Sequence, residues 1–171
     1  MAEETNRESG ELQLVIFRLK EQTYGVDIGH VLEIIRAVDI TFIPGAPAFV
    51  EGVINLRGRV IPIIDLARRL GLDPIETNES TRIIIVDVRG ATAGMMVDGV
   101  SEVLRLPVSL VQPAPAMVSG VSAEYLRGIA LLEDRLIILV DLTRVLHAEE
   151  KQALRQMAEA AEEVEALTAA R

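Results

Sequence analysis

The chain contains two similar stretches of sequence, and this internal repeat constrains its fold more than any other feature. Residues 52–70, GVINLRGRVIPIIDLARRL, align with residues 128–146, GIALLEDRLIILVDLTRVL, at an offset of 76 residues (128 − 52). Eight of the nineteen columns are identical, whereas average residue frequencies would give roughly one. The two segments are therefore expected to fold as two copies of one structural unit.

A second alignment extends the repeat toward the N-terminus at an offset of 69 residues (105 − 36). It places residues 15–36 over residues 84–105, with Thr, Gly, Val, Glu and Arg in register. The stretch LDPIETNES between the units has the composition of a linker. The sequence therefore predicts a flexible tail, a first barrel unit, a linker, a second barrel unit and a C-terminal helix: residues 1–11, 12–71, 72–80, 81–147 and 148–171.

Both units consist largely of short apolar runs, LQLVIF, RVIPIIDL, TRIIIVDV and RLIILVDL, each bounded by Gly, Pro, Asp or Asn. Runs of this length that are rich in β-branched residues are typical of strands. Many short strands favour a closed or nearly closed antiparallel barrel, because closure removes exposed strand edges. We therefore predict an all-β fold of two pseudo-symmetric barrels with a groove between them.

The last segment changes character, because helix-forming residues replace the β-branched runs after Ala148. Apolar side chains recur there three or four positions apart, which predicts an amphipathic helix: Leu154, Met157, Ala158, Ala161, Val164 and Leu167. Its acidic residues form either a solvated face or a docking surface.

Charge and composition exclude several classes of function. A net charge of −9 argues against binding nucleic acid or an anionic membrane surface, since both need clustered Lys and Arg. The chain has no cysteine and only two histidines, His30 and His147, so a metal site is not expected. Residues 1–11 are polar and acidic, unlike a secretory signal, and the sequence predicts a cytoplasmic protein without a membrane span.

Carboxylates are the only abundant candidates for catalysis: Asp27, Glu33, Asp65, Asp98, Glu102 and Asp141. Asp65 and Asp141 follow an apolar strand and precede Leu-x-Arg, where an Asp caps a short helical turn. Asp98 precedes Gly99 between apolar residues, which is typical of a turn. The sequence also lacks a Gly-rich phosphate loop and a G-x-S-x-G elbow. We therefore expect no catalysis and no cofactor.

Four longer stretches, read together, resemble a known family: YGVDIGHVLEI, PAFVEGVINLRGRVIPIIDL, GMMVDGVSEVL and EYLRGIALLEDRLIILVDL. With these stretches the chain is similar to the CheW family, the coupling proteins of bacterial chemosensory arrays, over about residues 12–147. The resemblance implies two five-stranded barrels packed around a shared hydrophobic interface, and no catalysis. It also implies an adaptor in the cytoplasm, recruited to membrane-associated receptor arrays. Its partners would be a chemoreceptor's cytoplasmic tip and the regulatory domain of the histidine kinase CheA.

The resemblance carries six receptor-binding positions over to this chain: Asn55, Leu56, Arg57, Gly58, Val31 and Glu33. The residues themselves leave alternatives open, because Asn55 and Gly58 suit a turn and Val31 suits a core. Glu33 has an in-register counterpart, Glu102, and so could be structural. Arg57 differs, because the second copy has Glu133 in that column, and this asymmetry favours a binding role.

Kinase contacts are not assigned to residues by the sequence, although the apolar, Pro-bearing loops after Ile43 and Gln112 are candidates. Two other functions remain open at this point. One is a non-catalytic barrel that binds a small molecule or peptide in another signalling assembly. The other is a hydrolase that uses paired carboxylates such as Asp65 and Asp98.

Overall fold

The computed structural model describes residues 10–114, 117–118 and 121–169. The strands are β1 (Glu11–Leu19), β2 (Gln22–Asp27), β3 (Val31–Arg36), β4 (Gly52–Leu56), β5 (Arg59–Asp65), β6 (Arg82–Val88), β7 (Ala91–Val97), β8 (Gly99–Pro107), β9 (Val111–Gln112), β10 (Met117–Val118), β11 (Val121–Ser122), β12 (Leu126–Leu132) and β13 (Arg135–Val140). The helices are α1 (Leu66–Arg69), α2 (Leu142–Val145) and α3 (Ala148–Ala169), and short 3-10 turns cover Ile28–His30, Val108–Leu110 and Ala123–Tyr125. The predicted all-β fold with a C-terminal helix is confirmed.

Two curled sheets contain most of the strands. One has the order β8-β1-β2-β13-β12-β9 and the other the order β3-β6-β7-β5-β4, while β10 and β11 pair with each other. Each sheet contains one parallel pair, β13 with β2 and β5 with β7, among otherwise antiparallel neighbours. The repeat offsets convert one order into the other, because β1, β2 and β3 match β6, β7 and β8, while β4 and β5 match β12 and β13. The sheets are therefore pseudo-symmetric.

The sheets do not coincide with the contiguous units 12–71 and 81–147, because the two copies exchange their first strands. The hairpin of β1 and β2 lies beside β13 and β8, and the hairpin of β6 and β7 lies beside β5 and β3. The counterpart strands have the same apolar pattern, so either copy can fill either place. The six-stranded sheet also exceeds the five strands expected, since the two-residue β9 joins its edge; in the other sheet an isolated bridge between Thr41 and Val53 occupies that place.

One large hydrophobic core joins the two sheets. Side chains on one face of β1, such as Val15 and Phe17, pack in a cluster that also contains Ile63 and Ile83 of the five-stranded sheet. The opposite face of β1 lines a smaller core inside the six-stranded sheet, made of Leu12, Leu14, Ile16, Leu106, Ala130, Ile137 and Leu139. Because β1 is buried on both faces, its sequence is an almost continuous run of apolar residues.

Glycines occupy the same column of both copies where the edge of each sheet is most crowded. An alanine Cβ at Gly52 would lie 2.5 Å from the backbone oxygen of Thr41, and one at Gly128 would lie 2.5 Å from that of Gln112. Real Cβ atoms do not approach backbone oxygen so closely, and the backbone cannot easily move aside. The repeat therefore retains glycine at both positions for a packing reason.

The two predicted aspartate caps are present. Asp65 accepts a hydrogen bond from the Arg68 backbone N–H at 3.1 Å, and Asp141 accepts one from the Thr143 backbone N–H at 2.9 Å. The other Asp65 oxygen accepts from the Ile75 backbone N–H at 2.8 Å, which fixes the predicted linker to the start of α1.

Of the predicted N-terminal tail, residues 1–9 lie outside the described residues, and Glu11 already belongs to β1.

Candidate partner-binding surface

The tip of the hairpin between β4 and β5 is a tight turn with left-handed backbone at both central residues. Arg57 has φ of 51° and Gly58 has φ of 81°, the combination found in type I′ hairpin turns. The Asn55 side-chain oxygen accepts a hydrogen bond from the Gly58 backbone N–H at 2.9 Å. Asn55 and Gly58 therefore shape the turn, and the guanidinium of Arg57 projects from its tip.

Arg57 and Glu33 form an ion pair with two parallel hydrogen bonds, of 2.7 Å and 2.8 Å. Arg57 lies at the tip of the β4–β5 hairpin, whereas Glu33 lies on β3 at the opposite edge of the five-stranded sheet. The pair can form only because the sheet curls until its two edges meet. The side chains are 71% and 31% exposed, so the pair lies at the surface and adds little to stability.

The second copy has a related pair in a different place. Glu102, the counterpart of Glu33 on β8, meets Arg135 at 3.3 Å, at the start of β13. The counterpart of Arg135 is Arg59, not Arg57, so the two sheets close with the same acid but with different basic positions. A glutamate at the Glu33 column therefore joins the two edges of the sheet in both copies. An arginine at the Arg57 column occurs in the first copy alone.

The ion pair also sets the protonation of its members. The hydrogen bonds from Arg57 hold the pKa of Glu33 below the usual range of a glutamate, and the same bonds raise the pKa of Arg57. Glu33 is thus ionised at neutral pH. The hairpin tip therefore presents a guanidinium whose position is fixed by a permanent carboxylate.

We expect the Glu33 carboxyl to titrate below the value of about 4.3 that is typical of glutamate. A depressed pKa in the folded state means that the pair contributes at and above mildly acidic pH and is lost as pH falls through the folded pKa. An NMR titration of the glutamate side-chain carbons should show this shift in the intact protein. In Arg57→Asn the Glu33 titration should return toward the usual range; an unshifted titration in the wild-type protein would contradict the geometry.

A second exposed feature is an apolar edge, formed by Leu32, Ile34, Val38, Phe42 and Ile43 on β3 and the loop that follows it. Phe42 is 72% exposed, which is unusual for a phenylalanine. Within the described residues β3 pairs with β6 alone, so its outer edge also offers backbone donors and acceptors. Exposed apolar groups clustered on an edge strand are typical of a protein-binding surface.

Of the predicted receptor-binding residues, the structure brings Glu33 and Arg57 into contact. Val31 and Leu56 are partly buried and pack against the large core, which supports the packing alternative for Val31. The exposed side chains Leu32 and Ile34 were not singled out by the sequence analysis. The available signal was that β3 carries apolar residues on both faces, because Leu32 and Ile34 alternate with Val31 and Ile35.

The described residues show no arrangement suited to metal binding, and the two carboxylates of the hydrolase alternative accept hydrogen bonds from the backbone. No cluster of three or more His, Asp or Glu side chains that could hold a metal occurs among them. Asp65 is buried and bonded to backbone donors, and Asp98 accepts from the Lys20 backbone N–H at 2.6 Å. In the part of the chain that the structure describes, no helix has both the length and the apolar character needed to cross a membrane.

Comparison with known proteins gives the family. The model of the CheW-like domain matches residues 13–150. The chain belongs to the CheW-like family. A probable chemotaxis protein CheW from Rhizobium etli is 38% identical over 144 residues, which is 84% of this chain and 93% of that protein. The chemotaxis protein CheW from Klebsiella aerogenes is 38% identical over 138 residues, or 81% of this chain and 83% of that protein.

A solved structure supports the CheW-like fold as well. The scaffolding protein TtCheW from Thermoanaerobacter tengcongensis is 39% identical, and the two structures superpose with a TM-score of 0.72. The superposition covers 81% of this chain and 90% of that one. The two sequence relatives are named chemotaxis proteins, and the solved structure is that of a scaffolding protein.

Proposed function

We propose that this protein is a non-catalytic adaptor that couples a chemoreceptor's cytoplasmic tip to the regulatory domain of the histidine kinase CheA. The observation that carries the proposal is the exposed Arg57 guanidinium, held by Glu33 at a position that the second copy of the repeat does not share. A residue that only shaped the turn would not need a fixed charge. The adaptor would work in the cytoplasm, recruited to receptor arrays at the membrane.

The receptor is proposed to contact the β4–β5 hairpin tip. Arg57 supplies a planar, permanently charged group that pairs well with carboxylates or backbone oxygens at the end of a helical hairpin. Asn55 and Gly58 contribute by holding the turn. Leu56 and Val31 contribute chiefly from the core side, because both are partly buried.

The kinase is proposed to contact the apolar edge defined above. The argument is chemical, since the exposed apolar side chains of this surface would lose contact with water on binding, while Arg36 and Asp39 are the exposed charges in the same stretch. It ends at Ile43, where the Pro-bearing loop that the sequence analysis named as a candidate begins. The loop after Gln112 lies partly outside the described residues, at 115–116 and 119–120.

The test is to measure binding of a receptor cytoplasmic fragment and of the kinase regulatory domain to one preparation by calorimetry. Phe42→Ser should weaken kinase binding about tenfold or more, because buried aromatic anchors dominate such interfaces. Receptor binding should stay unchanged. Raising the salt concentration should change kinase affinity little, since the contact is mainly apolar.

Leu131→Ser is the matched control, because Leu131 is also an exposed apolar residue, 59% exposed, but lies on the six-stranded sheet. It should leave kinase binding by the apolar edge intact. Binding of neither partner by the wild-type protein would exclude the adaptor function. Kinase affinity that collapses at high salt would exclude the apolar edge as the kinase surface.

A further inference from the structure

Arg69 connects three parts of the chain that are distant in sequence. It ends α1, directly after the five-stranded sheet, and its two terminal nitrogens bind the Glu150 carboxylate at 2.7 Å and 2.5 Å. Its Nε donates to the backbone oxygen of Val145 at 2.8 Å. Its guanidinium carbon also lies 6.0 Å from the centre of the Tyr125 ring, within the range of a cation–π contact.

The partners of Arg69 belong to the other side of the molecule. Val145 is in α2, which follows the six-stranded sheet, and Tyr125 immediately precedes β12 of that sheet. Glu150 is in the first turn of α3, where its carboxylate also accepts from the His147 backbone N–H at 2.9 Å. One guanidinium therefore joins the end of one sheet to the end of the other and to the start of the last helix.

The helix α3 continues this connection across the five-stranded sheet. It follows the six-stranded sheet in the chain, yet it packs on β5 and β7, with Leu154 fully buried in the shared core. Lys151 donates to the Thr143 backbone oxygen at 3.1 Å, and Arg155 donates to that of Arg89, at the β6–β7 turn, at 2.6 Å. The first turns of α3 are thus hydrogen-bonded to α2, which follows the six-stranded sheet, and to the β6–β7 turn of the five-stranded sheet.

Unlike the surface ion pairs, the Arg69–Glu150 pair is well covered. The two side chains are 15% and 18% exposed, whereas neighbouring Arg68, paired with Glu51, is 56% exposed. In the repeat alignment the column of Arg69 contains Val145 in the second copy, so the fold unit does not require an arginine there. The arginine is specific to the place where the two copies meet.

We propose that Arg69 and Glu150 are positioning residues that hold the two sheets at the angle the receptor needs, without touching the receptor. The inference rests on the proposed adaptor function. Arg69 follows the far end of β5 from Arg57, and seven residues of strand separate the two ends by about 20 Å. A receptor that extends from the hairpin tip onto the six-stranded sheet would depend on the relative orientation of the two sheets, which this connection helps the shared core to hold.

Distances between the two sheets test the inference without any partner. The chain has no cysteine, so nitroxide labels on Arg36→Cys in β3 and Asp134→Cys in the β12–β13 turn are the only labels present. Arg69→Gln should broaden the label-to-label distance distribution measured by pulsed electron paramagnetic resonance. Arg69→Lys, which retains the charge but not the planar fork that reaches Glu150 and Val145 together, should recover only part of the narrow distribution. Arg68→Gln, the exposed neighbour, should leave the distribution unchanged.

Binding measurements on the same variants give a second test of the role of Arg69. Arg69→Gln should weaken binding of the receptor fragment about five- to tenfold, because only a fraction of molecules would have the competent orientation. Kinase binding should be unchanged, since the apolar edge lies within the five-stranded sheet, whereas the receptor would extend onto both sheets. Arg69→Gln/Glu150→Gln removes the carboxylate left without its partner and should match Arg69→Gln if the lost connection is the cause.

An unchanged distance distribution in Arg69→Gln and in the double variant would overturn the inference. Equal loss of receptor and kinase binding would also overturn it, since that result means a general loss of folding. Failure of the wild-type protein to bind the receptor fragment would instead exclude the proposed function, and the distance measurement would still decide whether Arg69 fixes the sheets.

Discussion

Gly52→Ala is expected to lower the free energy of unfolding by about 2–3 kcal/mol, the range for forcing atoms into a well-packed site. The new Cβ would lie 2.5 Å from the Thr41 backbone oxygen and 2.6 Å from Cγ2 of Ile40. Thr41 cannot withdraw without cost, because it exchanges two backbone hydrogen bonds with Val53, of 2.8 Å and 2.9 Å. Chemical denaturation should show the loss, and the melting temperature should fall by about 5–10 °C.

The repeat supplies a second site and a control for this prediction. Gly128→Ala should cost a similar amount, since its Cβ would meet the Gln112 backbone oxygen at the same distance. Gly25→Ala should cost clearly less, because its nearest neighbour is the end of the Ile16 side chain at 3.2 Å. Equal, small effects at all three glycines would show that the edge of each sheet is looser than the structure indicates.

Arg57→Glu is expected to weaken binding of the receptor fragment more than tenfold while leaving the fold intact. The new carboxylate would face Glu33 and whatever receptor groups the guanidinium met, so attraction would become repulsion at the centre of the contact. The melting temperature should change little, because the side chain is largely exposed. Kinase binding should also be unchanged, since the apolar edge does not include Arg57.

The control for Arg57 has to respect its backbone conformation. Alanine would keep the cost that arginine already has at φ of 51°, whereas asparagine adopts this conformation more readily. Arg57→Asn therefore removes the guanidinium without straining the turn and should weaken receptor binding less than the charge reversal does. Unchanged receptor affinity in both variants would mean that the hairpin tip is only a turn.

The repeat predicts much of the fold, but it does not predict the partner of each strand. Strand lengths, hairpins, aspartate caps and the final helix follow from local pattern, because each depends on residues close in sequence. The exchange of β1 and β2 with β6 and β7 does not follow. Matching strands of the two copies carry the same alternation of apolar residues, so periodicity alone fits either arrangement.

In the candidate site, too, features that depend on residues close in sequence are predictable, whereas contacts between distant residues are not. Asn55 and Gly58 are predictable as turn residues, because the turn is completed within four positions. The contact between Arg57 and Glu33 depends on how far the sheet curls, which no local pattern states. Arg69 was not identified from sequence, although its column in the repeat differs between the copies in the same way as that of Arg57.

The exchange of strands has a consequence for how the protein is made. The five-stranded sheet is complete once Val97 has been synthesised, but β2 must wait for β13, and the paired residues Tyr24 and Ile138 are 114 positions apart (138 − 24). At roughly 5–20 residues per second, that wait lasts about 6–23 s. The strands that leave the ribosome first thus belong to the sheet that is completed last, and that sheet packs against a five-stranded sheet that is already folded.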